Sequence, residues 1–111
     1  MLNPLFYIPP DSEQDWKSWM LDHSLQHDII YSALVSLQQS VIKFPLTDSR
    51  EKNDKDWLNN HQLEHEAIYS ALQLVSMPDL TSFDLDNPDN FEIWQELHQD
   101  VHNNINATLG I

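Results

Sequence analysis

The sequence predicts an all-α protein, a three-helix bundle, and three observations carry that reading. Prolines at positions 45, 78 and 88 divide the chain of 111 residues into three long segments. Hydrophobic residues make up 41% of it and there is one glycine, a balance that suits packed helices better than sheets or disorder. Finally, the unit Trp-x3-His-x3-His occurs three times: Trp19/His23/His27, Trp57/His61/His65 and Trp94/His98/His102. The units hold all six histidines, and their tryptophans lie 38 and 37 residues apart, so the chain reads as an internal triplication.

The first helix is expected over residues 11–40, opening after Pro9-Pro10 with Asp11 or Ser12 as N-cap and Gln14 completing a capping box. Pro45 forbids its continuation. The second, residues 50–76, begins in the polar stretch Thr47 to Arg50 and stops ahead of Pro78. The third, residues 88–109, has the clearest start, with Asn87 as N-cap, Pro88 at the first helical position and Asp89 in the first turn. Residues 1–10 form an extended apolar arm broken by prolines, and Asp79 to Asp86 a packed connector able to pair as a short edge strand. All of residues 1–111 form one domain. Three copies of a single long helix close into a bundle more readily than they stack as a solenoid. Up-down-up connectivity is favoured, with Trp57 at the end opposite Trp19 and Trp94; the long connectors also permit parallel helices.

At about 100° per residue, with each repeat's tryptophan at 0°, the two histidines fall near 40° and 80°. Trp16, Ile30, Leu34 and Leu37 share that sector in the first helix, Ile68 and Leu72 in the second, and Phe91, Ile105 and Leu109 in the third. The histidines therefore sit within the apolar stripe, flanked by Trp19, Trp57 and Trp94 at one end and Ile30, Ile68 and Ile105 at the other.

This seam has two readings. Histidines at i and i+4 are about 6 Å apart along a helix, the spacing by which one helix chelates one ion, so His23, His27, His61, His65, His98 and His102 are candidate ligands for zinc, iron, copper or nickel. Burial keeps imidazole neutral and able to ligate. Of the nearby carboxylates Asp22, Asp28, Glu64, Glu66, Glu96 and Asp100, Glu64 projects closest to the seam, near 340°, while Asp28 and Glu66 project toward solvent. Alternatively the six rings are polar layers that set helix register, with each indole capping them, and no cofactor is bound. Tyr31 and Tyr69 extend the same ridge; in the third repeat Asn106 replaces them, and Asn103 stands where Asp28 and Glu66 do.

Eighteen acidic residues against five basic ones give a net charge of −13, which repels phosphate backbones and anionic lipid. Nucleic acid and membranes are therefore not expected partners. There is no cysteine, no glycine-rich phosphate loop and no apolar run of the roughly 20 residues a bilayer requires. The N-terminal sequence lacks a signal-peptide pattern, so a soluble, cytoplasmic or particle-incorporated protein is expected. A triplicated motif supplies equivalent groups rather than distinct catalytic roles, so enzymatic activity is not expected. The arm, with Leu2, Leu5, Phe6, Tyr7 and Ile8, either straps the bundle's own grooves or docks on a protein partner or second copy.

Six histidines in two sets resemble type-3 copper proteins, but those have a four-helix core and no tryptophan before each pair. Hemerythrin-like proteins use His-x3-Glu elements, which do not occur at these positions. The stretches Trp19 to Leu34 (WMLDHSLQHDIIYSAL) and Trp57 to Leu72 (WLNNHQLEHEAIYSAL) resemble units in small acidic proteins encoded among the structural genes of tailed phages. That resemblance implies a non-enzymatic virion or assembly component engaged with other proteins. The alternative is a metal-binding bundle built on the six histidines.

Overall fold

In a computed structural model of the protein, residues 3–5, 7, 8, 14–37 and 53–111 are described, and they form three helices and no strand. Helix α1 spans Gln14–Ser36, α2 Lys55–Ala71 and α3 Pro88–Leu109. Sequence-specified caps set the ends of α3. The Asn87 side chain accepts from the amides of Asp89 and Asn90, and Gly110 closes the helix in the left-handed region at φ 72°. Helix α2 is shorter than the expected 50–76. Asp54 caps its start by accepting from the Trp57 amide. Its end comes early because Gln73 turns left-handed at φ 58° and the Leu74 amide bonds back to the Tyr69 carbonyl at 2.8 Å. Helix α1 ends at Ser36, and Leu37, expected in the core sector, lies in the turn beyond it and is exposed. The expected caps Asp11 and Ser12, residues 38–40, and the expected second-helix start at Thr47 to Arg50 lie outside the described residues.

The helices run parallel, which corrects the up-down-up expectation. The rings of Trp19, Trp57 and Trp94 are mutual neighbours, with centroids 5.7–6.5 Å apart. An antiparallel α2 would carry Trp57 to the far end of the histidine layers, about three helical turns away. Below the tryptophans lies a ring of His23, His61 and His98, then a ring of His27, His65 and His102, and Ile30, Ile68 and Ile105 are all fully buried beyond them. Equivalent repeat positions thus occupy equivalent layers, giving the core a pseudo-threefold axis.

Parallel helices require connectors that travel the length of the bundle. Residues 72–87 can span about 50 Å when extended, against about 26 Å for α2. This connector descends antiparallel to α2. Gln62 donates to the Pro78 carbonyl and accepts from the Leu80 amide, each at 3.0 Å; further along, Lys55 donates to the Phe83 carbonyl and Asn53 accepts from the Leu85 amide. Leu80 and Leu85 are buried beneath it, and the segment packs without forming the expected edge strand.

The N-terminal arm does the same along α3. Gln99 accepts from the Leu5 amide at 3.0 Å, and Gln95 clasps Ile8 from both sides, accepting from its amide at 2.8 Å and donating to its carbonyl at 3.1 Å. Gln26 of α1 holds the Asn3 carbonyl. Leu5 and Ile8, expected as candidates for a partner, are instead buried in the protein's own core; Tyr7 is exposed, and Leu2 and Phe6 lie outside the described residues. Leu5 precedes Trp19 by 14 residues, as Leu80 precedes Trp94, and each of their amides is held by the glutamine that follows a repeat's first histidine. In the first and third repeats the unit is therefore a strap plus a helix.

Candidate metal centre

Each repeat builds its share of the site in the same way. The first histidine lies flat against the tryptophan one turn before it: Trp19–His23, Trp57–His61 and Trp94–His98 stack at 4.8, 4.6 and 4.8 Å with interplanar angles of 10°, 14° and 5°. The i, i+4 spacing makes this possible, since both side chains project from one face of the helix. The Trp94 indole also donates to the Leu80 carbonyl at 3.1 Å, tying the layer to the connector. Trp16 stacks on Trp19 at 4.9 Å and closes the tryptophan end.

The second histidine of each pair follows at 4.2, 4.0 and 4.4 Å between ring centroids. All six rings are buried, as the sequence position within the apolar stripe predicts. Their nitrogens converge. The Nε2 atoms of His23 and His61 lie 3.0 Å apart, those of His61 and His98 3.3 Å, and those of His27 and His65 3.2 Å. His23, His27, His61, His65 and His102 each offer one ring nitrogen, and these five atoms all lie within 4.8 Å of one another. His98 borders this group through His61.

Burial pushes His23, His61, His65, His98 and His102 well below the usual histidine range, and repulsion from neighbouring imidazoles adds to the effect. These rings are neutral near pH 7, and a neutral ring has one nitrogen free to ligate.

Hydrogen bonding alone does not satisfy the set. An imidazole nitrogen carries a proton or a lone pair, so His61 Nε2 makes one good N–H···N bond with His23 or His98 and not both. Among the described residues, both ring nitrogens of His102 are buried without a partner, as are Nδ1 of His23 and of His65. Such groups cost about 1–3 kcal/mol each when left unmade.

One carboxylate breaks the threefold pattern. Glu64, fully buried, accepts at Oε1 from His27 Nδ1–H at 2.9 Å and from the Tyr31 hydroxyl at 2.5 Å. This bond places the His27 proton on Nδ1 and leaves Nε2 as the lone-pair nitrogen facing the cluster, the relation a carboxylate has to a metal-ligating histidine. The repeat equivalents of Glu64 are Gln26 and Val101. Burial, followed by the bond to Glu64, pushes the Tyr31 phenol strongly upward. Glu64 is the carboxylate that helix geometry singled out from sequence, whereas Asp28, Glu66, Glu96 and Asp100 are exposed and Asp22 half-buried. The role of Tyr31 was not foreseen: its ridge position was visible, its partner across 33 residues was not. The strap-holding glutamines were missed too, although Gln62 and Gln99 share one repeat position.

The arrangement is a buried histidine cluster compatible with a metal-binding helical bundle. No helix among the described residues is long and apolar enough to cross a membrane. No protein family, curated protein or solved structure matches the chain.

Proposed function

We propose that this protein binds one transition-metal ion between its two histidine layers. The observation that carries the reading is the convergence of five imidazole nitrogens within 4.8 Å of one another. With metal–nitrogen bonds of about 2.2 Å, neighbouring ligands of an octahedron are about 3.1 Å apart and opposite ones about 4.4 Å; tetrahedral neighbours sit about 3.4 Å apart at a zinc–nitrogen bond of about 2.05 Å. Within the five, the neighbour separations of 3.0 and 3.2 Å lie close to the octahedral edge. Five of the six histidines in the two stacked rings supply such nitrogens, with His98 beside them.

Five converging imidazoles exceed the four ligands of the tetrahedron that zinc prefers and favour iron(II) or nickel(II). The five rings are buried and leave little room for water at an ion between them, so the site suits holding an ion or passing single electrons rather than hydrolysis. Glu64 supplies negative charge next to the cage, and the net charge of −13 concentrates cations at the surface.

The test is elemental analysis of untagged protein, combined with nickel(II) or iron(II) titration and melting with and without chelator. One ion per chain, removable by chelator with a fall in Tm, is expected. Less than a tenth of an equivalent after titration, with Tm indifferent to chelator, would overturn the proposal. It would leave the histidines as a hydrogen-bonded structural core, the reading favoured by the flat Trp–His stacks.

A further inference from the structure

Glu64 and Tyr31 have counterparts at the interface between α3 and α1. The pseudo-threefold axis that carries α1 onto α2 carries α3 onto α1. It therefore sets His102, Asn106 and Gln26 in the places of His27, Tyr31 and Glu64. His102 and Asn106 lie one turn apart on one face of α3, as His27 and Tyr31 do on α1. Gln26 projects toward α3, because its side chain donates to the carbonyl of Asn3 in the strap that Gln95 and Gln99 clasp.

Here the direct polar chain is broken. Gln26 is 5% exposed, Asn106 8%, and His102 is fully buried. Yet Gln26 Oε1, Asn106 Oδ1 and His102 Nδ1 have no hydrogen-bond partner among the described residues. Asparagine is shorter than tyrosine, so its carboxamide stops short of the reach by which the Tyr31 hydroxyl meets Glu64. The bond to the Asn3 carbonyl fixes which end of the Gln26 amide is nitrogen and which is oxygen. Two acceptors and one ring nitrogen are thus left at one buried interface.

We infer that one buried water is bound there, donating to Gln26 Oε1 and Asn106 Oδ1 and accepting from His102 Nδ1–H. No other arrangement of a single water satisfies all three atoms. The two amide oxygens only accept, so they take both of its protons, and the ring nitrogen must then donate. A water in a protein interior makes about three hydrogen bonds, the number offered. The consequence is a tautomer. His102 carries its proton on Nδ1 and presents the Nε2 lone pair to the other histidines, as His27 does against Glu64. Gln26 and Asn106 are therefore positioning residues for His102. At the remaining interface Val101 takes the place of Glu64 and Gln26 and supplies no acceptor to His65 Nδ1. The water site does not depend on a bound ion.

The test uses the full chain with isotope-labelled histidine, freed of metal with EDTA, at about pH 7.5, where burial keeps the His102 ring neutral. Proton–nitrogen correlation spectra of the imidazoles read the tautomer of each ring, and NOE spectra read contact with bound water. Expected are the Nδ1–H tautomer at His102 and a cross-peak from that proton to a long-lived water. Asn106→Leu keeps the bulk and removes one acceptor. It should abolish the water cross-peak and shift the ratio of Nδ1–H to Nε2–H at His102 about fivefold toward Nε2–H. An Nε2–H tautomer at His102 in the native chain, or an Nδ1–H proton without water contact, would overturn the inference. So would an Asn106→Leu variant in which both signals are unchanged. If that variant does not fold, the native spectra decide alone.

Discussion

The two histidine layers have the same composition and opposite construction. His23, His61 and His98 are each set by a flat tryptophan from their own helix, three times over with nearly the same geometry. Among the described residues, His27, His65 and His102 have no such platform, and only His27 has an outside partner, the Glu64 carboxylate held in turn by Tyr31. The first layer is positioned by local packing that each repeat carries with it. The second is positioned by one polar chain between α1 and α2 that the triplication does not repeat. The difference teaches that the site's shape is inherited from the repeat, while its charge comes from a single substitution at one repeat position.

The largest expected effect strikes both layers together. Five histidines have folded pKa values below the unfolded value near 6.5, so the unfolded chain binds more protons than the folded one in the acid range. Their stabilisation is complete above about pH 6.5 and is lost as pH falls below it. The loss approaches about 1.4 kcal/mol per histidine per pH unit, or about 7 kcal/mol for five, similar to the whole stability of a small domain. A steep loss of helical circular dichroism between about pH 6 and pH 4.5 is expected, and a bound ion should shift it to lower pH. A chain with undiminished stability at pH 4.5 would show that the rings are solvated and that the layered core is wrong.

Next in size is a break confined to the first layer. Trp94→Ala removes a fully buried indole, its stack on His98 and its bond to the Leu80 carbonyl, and should cost about 3–5 kcal/mol in urea unfolding. Phenylalanine at the same place keeps an aromatic platform but orphans Leu80. Trp94→Phe should therefore cost about 1 kcal/mol more than Trp57→Phe, since the Trp57 indole N–H has no partner among the described residues. Equal costs would mean that the connector is not held through the tryptophan layer.

The second layer is tested by Glu64→Gln, which keeps the shape and an acceptor for His27 but removes the charge. Nickel affinity should fall about tenfold, at the lower end of the range for partners of metal-bound histidines, with little change in the stacks of the first layer. Competition against a chelator of known affinity measures it. Unchanged affinity would remove Glu64 from the site's electrostatics.

These contrasts also mark what the sequence makes legible. The three helices, the central placement of the histidines and the inward reach of Glu64 all follow from 100° per residue, because a helix's own geometry decides them. Helix direction does not follow. The histidine pairs occupy the middle of each stripe, so reversing α2 still leaves histidines facing histidines, and only the tryptophan ring distinguishes the two arrangements. The straps were half legible: the apolar pattern of Leu5 and Ile8 gave burial, but a glutamine on a helix surface reads as solvated until an extended segment lies beside it. The early end of α2 rests on Gln73 at positive φ, a conformation that residue type does not announce.

The smallest expected effect separates two tyrosines at the same repeat position. Tyr31 donates to the buried Glu64 carboxylate, whereas the Tyr69 hydroxyl accepts from Asn104 at 3.2 Å. Removing the Tyr31 hydroxyl takes one of two hydrogen bonds from Glu64 Oε1, and Oε2 is already buried without a partner. Tyr31→Phe should therefore cost about 1 kcal/mol of stability and Tyr69→Phe less than about 0.5 kcal/mol, because Asn104 is exposed and turns to water instead. Urea unfolding of the two variants side by side resolves the difference. A Tyr31→Phe variant as stable as Tyr69→Phe would show that Glu64 is held by His27 alone, and the polar chain that distinguishes the second layer would shrink to a single bond.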